Sequence, residues 1–268
     1  MNFSANKTDL HHILPLREVF LEENNFQIRY NACHERNWTD SYLLQADGMT
    51  IGYGSVKGKD ETIQRDSIFE YFVLPAYRRF ASLLFIELIR ASEARFVECQ
   101  SNQELMLTMT MEFAENMFAD TILFQDHHDK SLVVPGFIFR QRRDDDIIFK
   151  HQVEPQGDWV LERNGDIVVT GGFMLHYNKP FADVYMEVQQ DWRQRGLGSY
   201  FVQEVKKACY LAGRISAARC GMDNLASRNT LLKAGMAIAG HMITGTKKRM
   251  VQVKNCNHYA LTLLNASE

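Results

Sequence analysis

The sequence predicts an α/β fold (α+β in some classifications) built as two similar units in tandem, and three observations carry that expectation. Two hairpin signals recur 117 residues apart. A cleanly alternating strand is followed by a glycine-containing turn and an amphipathic helix. Finally, 268 residues are long for one α/β layer and comfortable for two small domains. A chain of this size buries roughly 75% of its extended-chain surface, so its core requires neither disulfide nor metal.

The repeat sets Tyr42-Leu43-Leu44-Gln45-Ala46-Asp47-Gly48 against Trp159-Val160-Leu161-Glu162-Arg163-Asn164-Gly165. Asp-Gly and Asn-Gly suit type I′ hairpin turns, whose two central residues both need φ > 0. The same offset, carried forward without gaps, sets Gly54 on Gly171, Glu70 on Glu187, Ser82 on Ser199 and Leu88 on Val205. A register shared by hairpin, strand and helix points to duplication. The expected units are residues 1–143 and 144–268, joined near the charged stretch Arg140 to Asp146.

In the first unit a helix over Leu10 to Glu23, interrupted or restarted near Pro15, precedes the hairpin. A strand ending near Leu74 and a helix from about Ser82 to Ser92 come after it. In the second unit the hairpin leads to a strand over Phe181 to Gln189 and a helix over Ser199 to Ala212. Phe201, Val205, Ala208 and Ala212 recur at helical spacing and form its buried face, with Gln203, Glu204, Lys206 and Lys207 on the wet side. Gly213 stops that helix. A strand over Ile215 to Cys220 and a helix over Ala226 to Ala234, closed by Gly235, complete the unit.

Thirty basic and thirty-three acidic residues give a net charge of −3, without the basic excess of a nucleic-acid binder. The polar start Met-Asn-Phe-Ser-Ala-Asn-Lys is unlike a signal peptide, and no stretch approaches the ~18 apolar residues of a membrane helix. Neither nucleic acid nor membrane is expected as a partner. Cys33, Cys99, Cys209, Cys220 and Cys256 are scattered and never spaced as CxxC, which reads as reduced thiols in a cytoplasmic protein. Asp126-His127-His128-Asp129 reads as a solvated loop, because four adjacent side chains seldom converge on one ion; no metal is expected. Met106, Met109, Met111 and Met117 read as core filler, and Lys247-Lys248-Arg249 as a solvated surface segment.

The strand Phe181 to Val188 places Ala182, Val184, Met186 and Val188 on one face and Asp183, Tyr185 and Glu187 on the other. That polar face is either solvated or a line of ionisable groups along a cleft. The loop after the strand favours the cleft. In Arg193-Gln194-Arg195-Gly196-Leu197-Gly198-Ser199, two glycines allow close backbone approach and the helix N-terminus offers N–H groups to an anion. The segment lacks the Gly-Lys-Ser/Thr ending of a P-loop. It also lacks the third glycine of a dinucleotide fingerprint, where Phe201 stands instead.

Arg-x-x-Gly-x-Gly after a strand resembles the acyl-CoA pyrophosphate loop of the GNAT acetyltransferases. Asn224-Leu-Ala-Ser227-Arg228, with Lys233-Ala-Gly235-Met236 after it, resembles that family's second motif. The resemblance implies two GNAT-like domains, each a mixed, mostly antiparallel sheet flanked by helices. It implies acetyl-CoA as co-substrate, held by Met186, Val188, Arg193, Gln194, Arg195, Gly196, Leu197, Gly198, Ser199, Asn224 and Ser227. It also implies direct acetyl transfer to a primary amine, most simply a small molecule, and a strand bulge near Val188 that frees a backbone N–H for the thioester carbonyl. An alkyl ammonium has a pKa of roughly 10.4 and needs a base. Glu187 is the first choice, directly or through water, and Asp183 the second; Tyr185 orients the amine or donates a proton.

Two departures from the family pattern matter. The tyrosine that usually protonates the leaving thiolate is replaced by Leu231, so Tyr185 or Tyr200 serves, or the thiolate leaves unassisted. In the first unit the 117 offset sets Gly196 on Arg79, Gly198 on Ala81 and Arg193 on Ala76. A one-gap register matches Pro75-Ala76-Tyr77-Arg78 better but supplies no glycine either. The first unit is therefore expected to be a degenerate copy, structural or shaping the substrate pocket. An acyl-CoA-binding pseudoenzyme is the alternative to a transferase, and the oligomeric state is open between monomer and homodimer. His176-Tyr177-Asn178 is a candidate rim of the acceptor site, and Cys220 reads as core rather than nucleophile.

Overall fold

The computed structural model describes residues 1–24, 30–59 and 64–249. The strands and helices, in chain order, are β1 (Phe3–Thr8), α1 (Leu10–Glu23), α2 (Tyr30–Glu35), β2 (Thr39–Ala46), β3 (Met49–Lys57), β4 (Ser67–Val73), α3 (Ala81–Ser92), β5 (Phe96–Gln100), α4 (Glu104–Phe113), β6 (Ala114–Asp126), β7 (Ile138–Gln141), β8 (Trp159–Arg163), β9 (Asp166–Met174), β10 (Phe181–Val188), α5 (Leu197–Leu211), β11 (Ile215–Gly221), α6 (Leu225–Lys233) and β12 (Met236–Lys247). The chain divides into two compact units: Met1–Glu23, Trp38–Phe118 and Ile243–Glu268 form the first, Asn24–Asn37 and Ala119–Met242 the second. This division differs from a single cut after residue 143. Arg140 lies in β7 and is ion-paired to Asp146 and Glu162, so the charged stretch is built into the second unit rather than joining the two. No helix among the described residues is long and apolar enough to cross a membrane.

In the first unit the strands run β1-β2-β3-β4-β5. The ladders are antiparallel except β4–β5, which is parallel over only Ser67↔Phe96 and Ile68↔Val97. One face packs Val56, Ile68 and Val73 against Leu84, Phe85 and Leu88 of α3. The other packs Tyr53 and Phe72 against Ile13 and Phe20 of α1. Helix α1 runs unbroken through Pro15, contrary to the expected interruption.

The second unit repeats the plan with the order β6-β11-β10-β9-β8-β7. Both hairpin turns take the expected left-handed pair, with φ of 47° and 82° at Asp47-Gly48 and 52° and 91° at Asn164-Gly165. Even the irregularities coincide: the ladders shift register between Leu44 and Gln45 and between Leu161 and Glu162, 117 residues on. Gly213 (φ 69°) ends α5, and the Arg214 N–H closes back on the Cys209 carbonyl at 2.9 Å.

Helix α5 buries Phe201, Val202, Val205 and Cys209 in the core, whereas Ala212 is exposed. Its expected wet side is half wrong. Lys206 is 3% exposed and ion-paired to Asp126, and Gln203 holds both the N–H and the carbonyl of Leu132. Asp126 thus belongs to a buried ion pair, while His127, His128 and Asp129 stay exposed. Met106 and Met109 are core, but Met111 and Met117 are exposed, and Lys248 donates to the Met111 and Glu112 carbonyls at the end of α4. Cys33, Cys99, Cys209 and Cys220 are buried and not disulfide-bonded; Cys256 lies outside the described residues.

Candidate active site

Strand β10 carries the site because it has one complete neighbour and one incomplete one. Its ladder with β9 is unbroken from Asp183↔Met174 to Val188↔Val169, whereas its parallel ladder with β11 stops after Asp183↔Ala217. The Gln189 N–H donates to Val168 on the β9 side, and the Ile215 N–H donates to Pro180 on the β11 side. Alternation along an extended strand therefore turns the backbone of Val184, Met186 and Val188 toward the gap that β11 leaves. The last pair with β11 still engages the Val184 N–H, so the N–H groups of Met186 and Val188 are the donors on that open edge, and the Val188 carbonyl takes the Arg193 Nε at 3.0 Å. The bulge expected near Val188 is absent, and the edge is opened by divergence of β11 instead. A bulge does occur in the first unit, where Ser55↔Glu70 and Val56↔Ile68 leave Phe69 unmatched on β4.

Beyond β10, a single 3-10 turn (Gln190–Trp192) leads into the loop before α5. Gln194 (φ 63°) and Gly196 (φ 77°) are left-handed, and Gly196 caps α5 without any side-chain hydrogen bond. The first N–H groups of the helix, on Leu197, Gly198 and Ser199, thus have no side-chain cap, an arrangement that can accept an anion. The two glycines differ. A Cβ on Gly196 would meet only the end of the flexible Lys233 side chain, Nζ at 3.4 Å, so its constraint is the backbone angle. A Cβ on Gly198 would meet Met186 Cε at 3.0 Å and Thr230 Cγ2 at 3.2 Å, so that position faces protein rather than the open loop.

Arg193 and Arg195 are partly tied. Arg193 also reaches Gln152 Oε1 at 3.4 Å, and Arg195 donates to the Asp191 carbonyl at 3.0 Å and stacks over Trp192 at 4.7 Å. The Asn224 Oδ1 accepts the Ser227 N–H at 3.0 Å, which is a helix cap for α6. Leu231 is 4% exposed within the core.

The opposite face of β10 alternates as expected but is not solvated: Asp183 is 5% and Glu187 7% exposed. Over Glu187 the cover is the segment that begins at His151. Glu187 accepts the N–H groups of Gln152, Val153 and Glu154 at 2.9, 3.0 and 3.0 Å. Burial alone would raise its carboxyl pKa, but these three donors and nearby His151 outweigh it and hold the group below the usual carboxylate range. His151 donates from Nδ1 to the Glu154 carbonyl at 2.8 Å, and its Nε2 lies 3.0 Å from Thr170 Oγ1, on the residue paired with Glu187. At the other end, Asp183 Oδ2 sits 3.1 Å from His176 Nε2.

Between them, the Tyr185 hydroxyl would lie 3.5 Å from a Cβ on Gly172, and the Asp158 nitrogen 3.6 Å from the same point. Burial, with Asp158, Glu154 and Asp183, pushes the Tyr185 phenol up. Glu154 was not singled out by sequence. It is half-buried, no hydrogen bond or ion pair holds its carboxylate among the described residues, and burial together with Asp183 and Glu187 pushes its pKa up. No local pattern marks Glu154 or His151. Their only trace is an aperiodic stretch between β7 and β8, where the first unit has helices before β2.

The matching positions of the first unit are filled by the protein itself. Glu70, fully buried, takes Arg17 Nη2 at 2.9 Å and the Tyr53 hydroxyl at 3.0 Å. Helix α3 starts after Phe80 with φ of −105°, with no left-handed cap. In its first turn, the Ser82 hydroxyl donates to the Glu112 carboxylate at 2.8 Å.

Comparison with known proteins gives the family and the fold. A family model described as an acetyltransferase (GNAT) domain matches residues 10–127, and one described as the acetyltransferase (GNAT) family matches residues 123–236. No curated protein matches the sequence. Among solved structures, a GNAT-family acetyltransferase from Colwellia psychrerythraea is 12% identical with a TM-score of 0.69, over 92% of this chain and 100% of that one. A GCN5-related N-acetyltransferase from Sphaerobacter thermophilus is 15% identical with a TM-score of 0.56, over 91% and 95%. A tandem GNAT protein from the clavulanic acid biosynthesis pathway is 11% identical with a TM-score of 0.54, over 91% and 98%. At these identities the structural likeness concerns the fold alone.

Proposed function

The chain belongs to the GNAT acetyltransferase family, and on that premise we propose that it transfers an acetyl group from acetyl-CoA to a primary amine by direct attack in a ternary complex. The observation that supports this most is the conjunction in the second unit of an open β10 edge with an uncapped helix N-terminus behind a left-handed glycine. The N–H groups of Leu197, Gly198 and Ser199 would take the pyrophosphate, with Arg193, Gln194 and Arg195 supplying charge and backbone at the rim. The open N–H groups of Met186 and Val188 are suited to the amides of the pantetheine arm and to the thioester carbonyl, whose developing negative charge they would stabilise. Asn224 and Ser227 would act on the site by orienting α6, which the Asn224 Oδ1 caps through the Ser227 N–H.

The amine would approach along the face of Asp183, Tyr185 and Glu187, and its proton would go to a carboxylate there. The raised phenol of Tyr185 keeps it protonated near neutral pH, which suits a donor to the leaving thiolate in the absence of a tyrosine at Leu231. Partial cover by the segment from His151 to Asp158 favours a small acceptor over an extended peptide. Four buried cysteines without a disulfide suit a reducing compartment such as the cytoplasm.

The test is release of CoA thiol from acetyl-CoA, monitored with a disulfide reagent, on addition of polyamines, amino acids, aminoglycosides and peptides. Amine-dependent release is expected. Tight acetyl-CoA binding with no release for any amine would favour the acyl-CoA-binding pseudoenzyme.

A further inference from the structure

We propose that Glu154 is the general base of the transfer and that Glu187 is the positioning residue that presents it. The proposal rests on the acetyltransferase reading and assigns its proton transfer to a residue outside the family motifs. Glu187 is poorly placed to accept a proton, because both its oxygens already receive backbone N–H groups. Those bonds bend Gln152, Val153 and Glu154 around its carboxylate, and the His151 bond to the Glu154 carbonyl closes the same turn. The turn holds Glu154 beside the strand that carries Tyr185, with its carboxylate uncommitted.

The charged and titratable groups acting on Glu154 are Asp183 and Glu187 from β10, Arg219 from β11 and His151 from its own turn. The two carboxylates and burial favour its protonated form, while Arg219 and His151 oppose it, with a net upward shift. A carboxylate raised in this way is a stronger proton acceptor than Glu187, whose shift is downward. In the step, the ammonium loses one proton to Glu154, which returns it to solvent. The neutral amine then forms the C–N bond, the C–S bond breaks, and the nitrogen's second proton goes to the departing thiolate.

The test compares pH–rate profiles of Glu154→Gln, Glu187→Gln and Asp183→Asn with wild type, using acetyl-CoA and the most active of spermidine, lysine, kanamycin and a tetrapeptide. Glu154→Gln should lower kcat by roughly 10²–10⁴-fold near neutral pH, with the loss shrinking as pH rises toward the amine pKa and acetyl-CoA affinity unchanged. Asp183→Asn should lower kcat less than Glu154→Gln does and move the acid limb to lower pH, because removing a neighbouring negative charge lowers the Glu154 pKa. Glu187→Gln should move the limb the same way, raise KM for the amine more than it lowers kcat, and speed hydrogen exchange at the amides of residues 152–154. A large pH-dependent loss in Asp183→Asn or Glu187→Gln with Glu154→Gln near wild type overturns the assignment. Wild-type protein that binds acetyl-CoA yet acetylates nothing overturns the acetyltransferase reading itself.

Discussion

Gly196 and Gly198 stand two residues apart in one turn, yet they are glycine for different reasons. Gly196 has the left-handed angle that aims the α5 amides outward, and a side chain there would strain the backbone by about 1–2 kcal/mol. Gly198 is helical and inward-facing, and a methyl needs only a small shift of the Met186 terminus and of Thr230. An alanine there would let the free loop relax out of the left-handed angle, which binding must then restore. Gly196→Ala should therefore weaken acetyl-CoA binding by roughly tenfold, the affinity equivalent of that strain. Gly198→Ala should bind within about twofold of wild type and fold at least as stably, since alanine is the better helix former. Calorimetric titration of both variants checks this; the reverse order would contradict the division of roles. In the first unit Ala81 stands where Gly198 does, and Arg79 stands where Gly196 does without its left-handed angle, which is one of the differences between the two loops.

At the scale of elements, the hairpins were the most legible feature because their determinants are local. Asn164-Gly165 fixes a turn by its own backbone preferences, and no atom lies within 4 Å of a Cβ built on Gly165. Gly165→Ala should therefore cost about 1 kcal/mol through the positive φ alone. Urea unfolding should read that loss while acetyl-CoA affinity stays unchanged. No change in stability would mean that the turn is not held in the left-handed pair. Helix α5 was legible along its apolar stripe but not on its flanks. Helical spacing locates Phe201 and Val205, but it cannot reveal that residues 126–134 fold back and bury Lys206 and Gln203. The same limit applies at the site. The alternation of β10 separated Asp183, Tyr185 and Glu187 from the core face, as observed. What occupies the Glu187 carboxylate depends on an aperiodic loop more than thirty residues away in sequence, and nothing local encodes that encounter.

Across the whole chain, two units built on one register have kept their ladders and diverged in their loops. The hairpins and their register shifts superpose in sequence at the 117 offset, and in both units the central parallel ladder is only two or three residue pairs long. The second unit leaves its helix N-terminus open, whereas the first turns a carboxylate of its own, Glu112, onto the matching serine. A negative group already satisfied by Ser82, and close to the amides that would attract a phosphate, opposes a second anion by charge and by occupancy. The central claim is thus an asymmetry: one acyl-CoA site per chain, in the second unit. Calorimetric titration of the full chain with acetyl-CoA tests it most directly. The predicted stoichiometry is near one, reduced in affinity by Gly196→Ala and unaffected by Arg79→Gly; a stoichiometry near two, or binding that Gly196→Ala leaves intact, would contradict it.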